Sequence, residues 1–313
     1  MRRAADIVAV LALLCLVGFG LIANNYLLQV GTTLAMSAAL CYSWNLVGGF
    51  MGYPSFATAS LFGLGIYTAG ILQAGGWPVA SSWAAGAAAG CAFALALGLI
   101  LLHLRGHYFA IGTIATVEVL REIANNWDSL TGGAIGLNVP MLPGSAEEVG
   151  RLFYFSMWGV AAIGMATSRI VDSTRFGVAL RCIRQNEVAA GMIGIDTYRS
   201  KVAAFVLSGL LAGAAGAIYS SLVAFIQPDD AFNVVTSIEI PVMVLLGGAG
   251  SFLGPLIGAC SYVVLNEIVW AHFINYHGAI LGAMVVLVIY FLPRGFVGGF
   301  TRRWRMYAAR VRQ

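Results

Sequence analysis

Few side chains in this sequence can do chemistry, and their spacing limits what they do. Glu118, Arg121 and Glu122 recur at intervals of three and four, which puts them on one helix face where the arginine neutralises a neighbouring carboxylate. Ionisable groups inside an apolar stretch are costly, so this set is either a structural pairing or part of a solute path. Glu239 and Glu267 stand near the ends of their apolar runs, where water is close. His103, His107, His272 and His277 lie at the edges of such runs and form no His-Glu-x-x-His or similar spacing, so no metal site and no catalytic residue is expected. Lys201 is the only lysine and Ser200 precedes it, so a phosphate-binding G-x-x-x-x-G-K cannot be written. The chain is expected to be no enzyme, to bind no cofactor and to hydrolyse no ATP. Cys15, Cys41, Cys91, Cys182 and Cys260 are widely spaced and read as small packing residues.

The elements that position these groups follow from composition. Hydrophobic residues make up 60% and charged residues 10% of 313 positions, whereas soluble domains carry roughly 25% charged residues. So few charges cannot build a water-facing surface. Apolar runs near 7–23, 27–46, 56–74, 80–102, 109–124, 152–171, 202–225, 238–250, 254–271 and 278–293 approach the ~20 residues that a helix needs to cross a bilayer. The first run resembles a signal peptide, but it is long and no small-x-small cleavage site follows it, so it is expected to be a retained span.

The expected fold is all-α: a polytopic transmembrane helical bundle of about ten spans, or eight plus a re-entrant hairpin, with glycine-broken helices. Arg105, then Arg169, Arg175, Arg181, Arg184, Arg199 and Lys201, then Arg294 to Arg312 fall on one side if both termini are cytoplasmic. Asp128, Glu147, Glu148, Asp229 and Asp230 then fall outside. Counting 238–271 as one crossing would put the arginine-rich tail outside, so that stretch must turn back on itself. The chain thus reads as one transmembrane domain, 1–313, with a cytoplasmic loop at 173–201 and a basic cytoplasmic tail at 294–313.

Glycines repeat every fourth residue at Gly86 and Gly90, Gly209 and Gly213, Gly250 to Gly258, and Gly278 and Gly282, a spacing that lets helix backbones approach closely. Two further clusters interrupt apolar runs: Gly48, Gly49, Gly52 and Pro54 in the first half, and Gly247, Gly248 and Gly250 ahead of Pro255 in the second. Paired interruptions of this kind expose helix ends and free backbone groups to a solute, which makes these residues the candidate translocation path. An ion-driven carrier would place acidic groups deep in several helices, and this sequence mostly does not. An ion-coupled secondary carrier remains the alternative from another class.

Between the sixth and seventh runs, Phe176, Leu180 and Ile183 recur at helical spacing beside Arg181 and Arg184, with Gly194 as the stop. This reads as an amphipathic helix at the membrane surface, bound either to anionic lipid or to a protein partner. Glu187, Ala189, Ala190 and Gly194 resemble the E-A-A-then-glycine signature of ABC importer permeases, with the glycine one residue later than usual. Stretches from Gly48, Arg105, Asn126 and Ser237 make the chain, from about residue 30 to 295, similar to the LivM-type branched-chain amino acid permease family. Gly52 to Ala59, G-Y-P-S-F-A-T-A, departs from that family's G-Q-x-S-L-G-H.

The resemblance implies a permease subunit in the bacterial inner membrane, working with a second permease, two ATP-binding subunits that carry ATP and magnesium, and a periplasmic solute-binding protein. Lipid is the remaining partner, and nucleic acid is not one. It implies that Arg181, Arg184, Glu187, Ala189, Ala190 and Gly194 mark the coupling element. Branched-chain amino acids are the implied solutes; urea, short amides or aromatic carboxylates are the alternatives.

Overall fold

The computed structural model describes residues 24–104 and 106–272, together with Gly18, Gly20 and Gly282. The spans expected at 7–23 and 278–293, Arg105 and the basic tail lie outside the described residues. The elements that follow are helices, apart from one short two-stranded ladder.

Helix α1 (Asn25–Trp44) is rich in small apolar residues and buried nearly all round from Ala35 to Trp44. It continues without a break as a π-helical segment, Asn45–Met51, and stops at Gly52, whose φ of 77° no branched side chain adopts cheaply. The first expected interruption is thus a widened turn followed by a stop. Helices α2 (Thr58–Ala74), α3 (Val79–Leu101) and α4 (His107–Asn126) follow.

Helix α5 (Ala146–Ser173) begins well before its apolar run, because Ser145 and Glu148 form a capping box that satisfies the first turn's amides. The expected single surface helix is two helices, α6 (Arg175–Gln185) and α7 (Glu187–Met192). Asn186 divides them and caps the second, its Oδ1 accepting from the amides of Val188 and Ala189. Helix α8 (Thr197–Val223) starts early too, capped by Asp196. Helices α9 (Val234–Gly247) and α10 (Gly254–His272) form an antiparallel hairpin, so 238–271 does turn back on itself. Strands β1 (Leu137–Asn138) and β2 (Phe225–Ile226) pair antiparallel at one end of the bundle, where Asp229 also lies.

Among the described residues five helical stretches are long and apolar enough to cross a membrane: Asn25–Met51, Val79–Leu101, Ala146–Ser173, Thr197–Val223 and Pro228–Gly247. Thr58–Ala74 and Gly254–Val269 are shorter apolar helices. α4 fails that test of composition, since Glu118, Arg121 and Glu122 sit on it. Leu99, Ile100, Ile111, Ile163 and Ile170 are exposed on helix surfaces, as a lipid-facing surface requires. This is a helical membrane protein.

Glycine faces hold the bundle together. α8 packs on α2 and α3, and a Cβ placed on Gly65 would lie 2.2 Å from the Gly213 carbonyl oxygen, one on Gly209 2.5 Å from that of Gly90. In the hairpin, a Cβ on Gly258 would lie 1.8 Å from the Met243 carbonyl oxygen. These are backbone-to-backbone contacts that no rotamer change relieves. Gly65→Val is therefore expected to destabilise the protein by about 1–3 kcal/mol or more. Gly159→Ala, on α5 with nothing within 4 Å, should be neutral. Thermal unfolding of the two purified variants checks this, and equal melting temperatures would refute it.

Candidate functional site

The two interrupted segments, far apart in sequence, meet at one point. Asn45, in the first π-helical turn, accepts through Oδ1 from the Gly250 amide at 2.8 Å and donates through Nδ2 to the Ser251 carbonyl at 3.2 Å. Gly49 lies so close to this tie that a Cβ there would be 1.9 Å from Asn45 Oδ1 and 2.6 Å from the Gly250 nitrogen. α6 reaches the same point: Arg184 Nη1 donates to the Gly49 carbonyl at 2.6 Å, and the Arg184 side chain runs over Gly52. Gly49 lies in the last turn before the stop at Gly52, where carbonyls have no intrahelical partner, and a guanidinium is a strong donor for one of them.

The structure thus brings together Arg184, Gly49, Gly52 and Gly250, which the sequence alone places in two separate sets. Gly48 packs against the Trp44 ring, and Gly247 against Gly254 in the hairpin. Gly248, with φ 120°, ends α9. Pro54 is exposed. Arg181 points elsewhere, to Asp172 Oδ1 at 2.7 Å and the Asp172 carbonyl at 3.2 Å. Ala190 is buried, Ala189 half-buried, and Gly194, with φ 85°, follows the end of α7.

A second tie lies alongside. Glu187, the first residue of α7, turns inward: its Oε1 accepts from Lys201 Nζ at 2.7 Å and its Oε2 from the Tyr53 hydroxyl. Lys201 is only 3% exposed, and its ammonium also donates to the Leu102 carbonyl at 2.9 Å and the Tyr53 oxygen at 3.3 Å, over the Tyr53 ring. A buried ammonium is tolerated only when its donors are satisfied, and here three acceptors converge on it. Three chain segments are so bound together: the residues after the π-helical segment, the end of α3 and the α7–α8 connection. Sequence reasoning does not pick out Tyr53, Lys201 or Asn45 as site residues. The signal for Lys201 is its solitude, one lysine in 313 residues at the foot of an apolar run.

Val178 on α6, Val188 and Met192 on α7 and Ile193 just after it are all more than half exposed. At the opposite end, Arg121 pairs with Glu118 at 2.7 Å, as the spacing predicts, and also with Asp229 at 3.1 Å. Glu122 instead accepts from Asn126. This set joins α4 to the turn before α9. Between α1, α9 and α10 lies a cleft of about 380 Å³, bounded at its rim by Tyr26 and Glu267 and at its floor by Leu40 and Met243. Below that floor Cys41 Sγ approaches Met243 Sδ at 3.7 Å, and one further turn along α1 comes Asn45. Among the described residues no group of His, Cys, Asp or Glu could hold a metal ion.

Residues 8–289 match the model of a family described as the permease component of the branched-chain amino acid transport system. The chain belongs to this family. The permease is 28% identical over 286 residues to the high-affinity branched-chain amino acid transport system permease protein LivM of Escherichia coli K12, covering 81% of this chain and 65% of that one. The LivM protein of Salmonella typhimurium matches with the same identity and coverage. The autoinducer 2 import system permease protein LsrC of Yersinia pseudotuberculosis is 25% identical over 278 residues, 82% of this chain and 74% of that one. The permease therefore spans just under two thirds of the length of the LivM relatives. No solved structure gives a significant match. Family and relatives are transport components rather than catalysts, in keeping with a sequence that cannot form a phosphate-binding loop.

Proposed function

We propose that this permease is the membrane-spanning subunit of an ATP-binding-cassette importer for branched-chain amino acids in a bacterial inner membrane. In this reading the Arg184 end faces the cytoplasm, and α6 and α7 dock on an ATP-binding subunit through Val188, Met192 and Ile193. A second permease, two ATP-binding subunits and a periplasmic solute-binding protein complete the assembly.

The observation that carries the reading is the double anchoring of α6 and α7: Arg184 to Gly49 and Glu187 to Lys201 and Tyr53. A surface helix that served only to bind lipid would need no such ties to the interior. Force applied by a partner to the exposed face of α7 passes through them to the point where α1 meets the α9–α10 turn. That point blocks the line leading down from the cleft. Moving it opens the path on one side, as alternating access requires.

The test is reconstitution of the permease with its ATP-binding and solute-binding partners, followed by uptake of labelled leucine. ATP-dependent uptake competed by valine and isoleucine is expected. Uptake by the permease alone under an ion gradient, or uptake competed by autoinducer 2 and not by valine, would overturn the reading.

A further inference from the structure

The segment Asn45–Met51 is π-helical over seven residues, a form that is rare in helices and recurs at functional sites. Its sequence adds to the cost, because Gly48 and Gly49 stand where a helix interior favours alanine. A backbone of this kind persists only where its surroundings hold it.

The surroundings do so from several sides. Just ahead of the segment, the Tyr42 hydroxyl donates to the Phe252 carbonyl at 3.2 Å, and Trp44 Nε1 donates to the Ser55 carbonyl at 2.6 Å. Asn45 ties Gly250 and Ser251, and Arg184 ties Gly49. One set of ties therefore runs to the α9–α10 turn, and another to the helix on which a partner would push. Both glycines are required by this form. A Cβ on Gly48 would run into the Trp44 ring, and one on Gly49 would lie 2.6 Å from the Gly250 nitrogen.

Wound as an α-helix, the segment would close each hydrogen-bonded ring one residue earlier. Its end would turn by about 100° relative to α1, one residue's share of a 3.6-residue turn. The Gly49 carbonyl would leave Arg184, and the α9–α10 turn would lose its closest neighbour. Residues 52–57 are non-helical and begin at Gly52 with φ 77°, so they can take up the rotation.

Resting on the transport reading above, we propose that Asn45–Met51 is the two-state element of the permease, π-helical with the path closed and α-helical with it open, and that Gly48 sets the balance. Displacement of α6 breaks the Arg184 bond that belongs to the π form alone. The segment then relaxes to the ordinary helix and releases the turn, a discrete change that both ends of the junction can bias.

Deleting Gly48 tests this directly, since it removes the extra residue of the widened turn while Gly49 keeps its face and its ties. The variant should keep or raise its melting temperature, yet in the assembled transporter take up leucine on the order of tenfold more slowly, with ATP hydrolysis falling alongside. Gly48→Ala acts in the other sense, because its methyl group displaces the Trp44 ring and favours the released α form. Uptake should fall by a similar factor while ATP hydrolysis persists. Electron cryomicroscopy of the assembled transporter, nucleotide-free and with a non-hydrolysable ATP analogue, reads the change itself. In the π form the Val47 carbonyl accepts from the Gly52 amide, and in the α form it should accept from that of Met51.

A π-helical segment in both nucleotide states, or a deletion variant with uptake within about twofold of the native rate, would overturn the switch and leave the transport reading standing. Where the deletion prevents folding, Gly48→Ala decides, and a parallel loss of its uptake and hydrolysis overturns the switch. A segment that changes form in a complex that moves no leucine would sink the transport reading and keep the switch.

Discussion

Glu187→Ala is expected to destabilise the permease by about 3–5 kcal/mol, more than Lys201→Met does, and the double variant is expected to recover most of the loss. The asymmetry follows from burial. The Lys201 side chain is 4% exposed and that of Glu187 16%. Removing the carboxylate strands an ammonium in a site that water hardly reaches, leaving it the Leu102 carbonyl and the Tyr53 oxygen. Removing the lysine leaves a carboxylate that keeps the Tyr53 hydroxyl and some access to water. Removing both leaves an apolar pocket, in which Tyr53 still packs edge-on against Phe109. Thermal and denaturant unfolding of the four purified proteins measures the cycle. Additive losses, or a Lys201→Met variant worse than Glu187→Ala, would show that the pair is not the tie described here.

That pair marks the boundary of what the sequence discloses. Helix period and apolar run length suffice for α2, α3 and the α9–α10 hairpin, because each is settled locally by hydropathy and its breakers. The fourfold glycine spacing is legible as packing, and Gly90 does meet Gly209 and Gly213. Glu118 and Arg121 are legible because residues three apart on a helix are neighbours.

Contacts between distant segments carry no such signal. Arg184 and Gly49 are 135 residues apart, Glu187 and Lys201 are on separate helices, and Asn45 reads as an ordinary polar residue in an apolar run. Hydropathy also hides the polar first turns of α5 and α8, whose starts are set by the caps Ser145 and Asp196. It counts α4 as a plain span, although its charges tie it to Asp229. The cleft is invisible for the same reason: Ser37, Glu239 and Glu267 belong to three helices.

Arg184→Met should leave the permease folded and inserted yet cut ATP-driven uptake by a factor of roughly 5–150, the range of a coupling energy of about 1–3 kcal/mol. Arg184 is exposed, so its loss strands no buried charge. What disappears is the 2.6 Å bond to Gly49, the only hydrogen bond among the described residues from α6 to the π-helical segment. ATP hydrolysis by the partner subunits should persist, because α7 stays anchored by Glu187 and still presents Met192 and Ile193. Asn45→Ala attacks the same junction from the other side, freeing Gly250 and Ser251 from α1. If the two bonds belong to one moving element, the double variant should be no worse than the poorer single one. Uptake and hydrolysis measured side by side in proteoliposomes decide it. A parallel fall in both activities, or two losses that multiply, would mean that Arg184 and Asn45 hold the fold separately and transmit nothing between them.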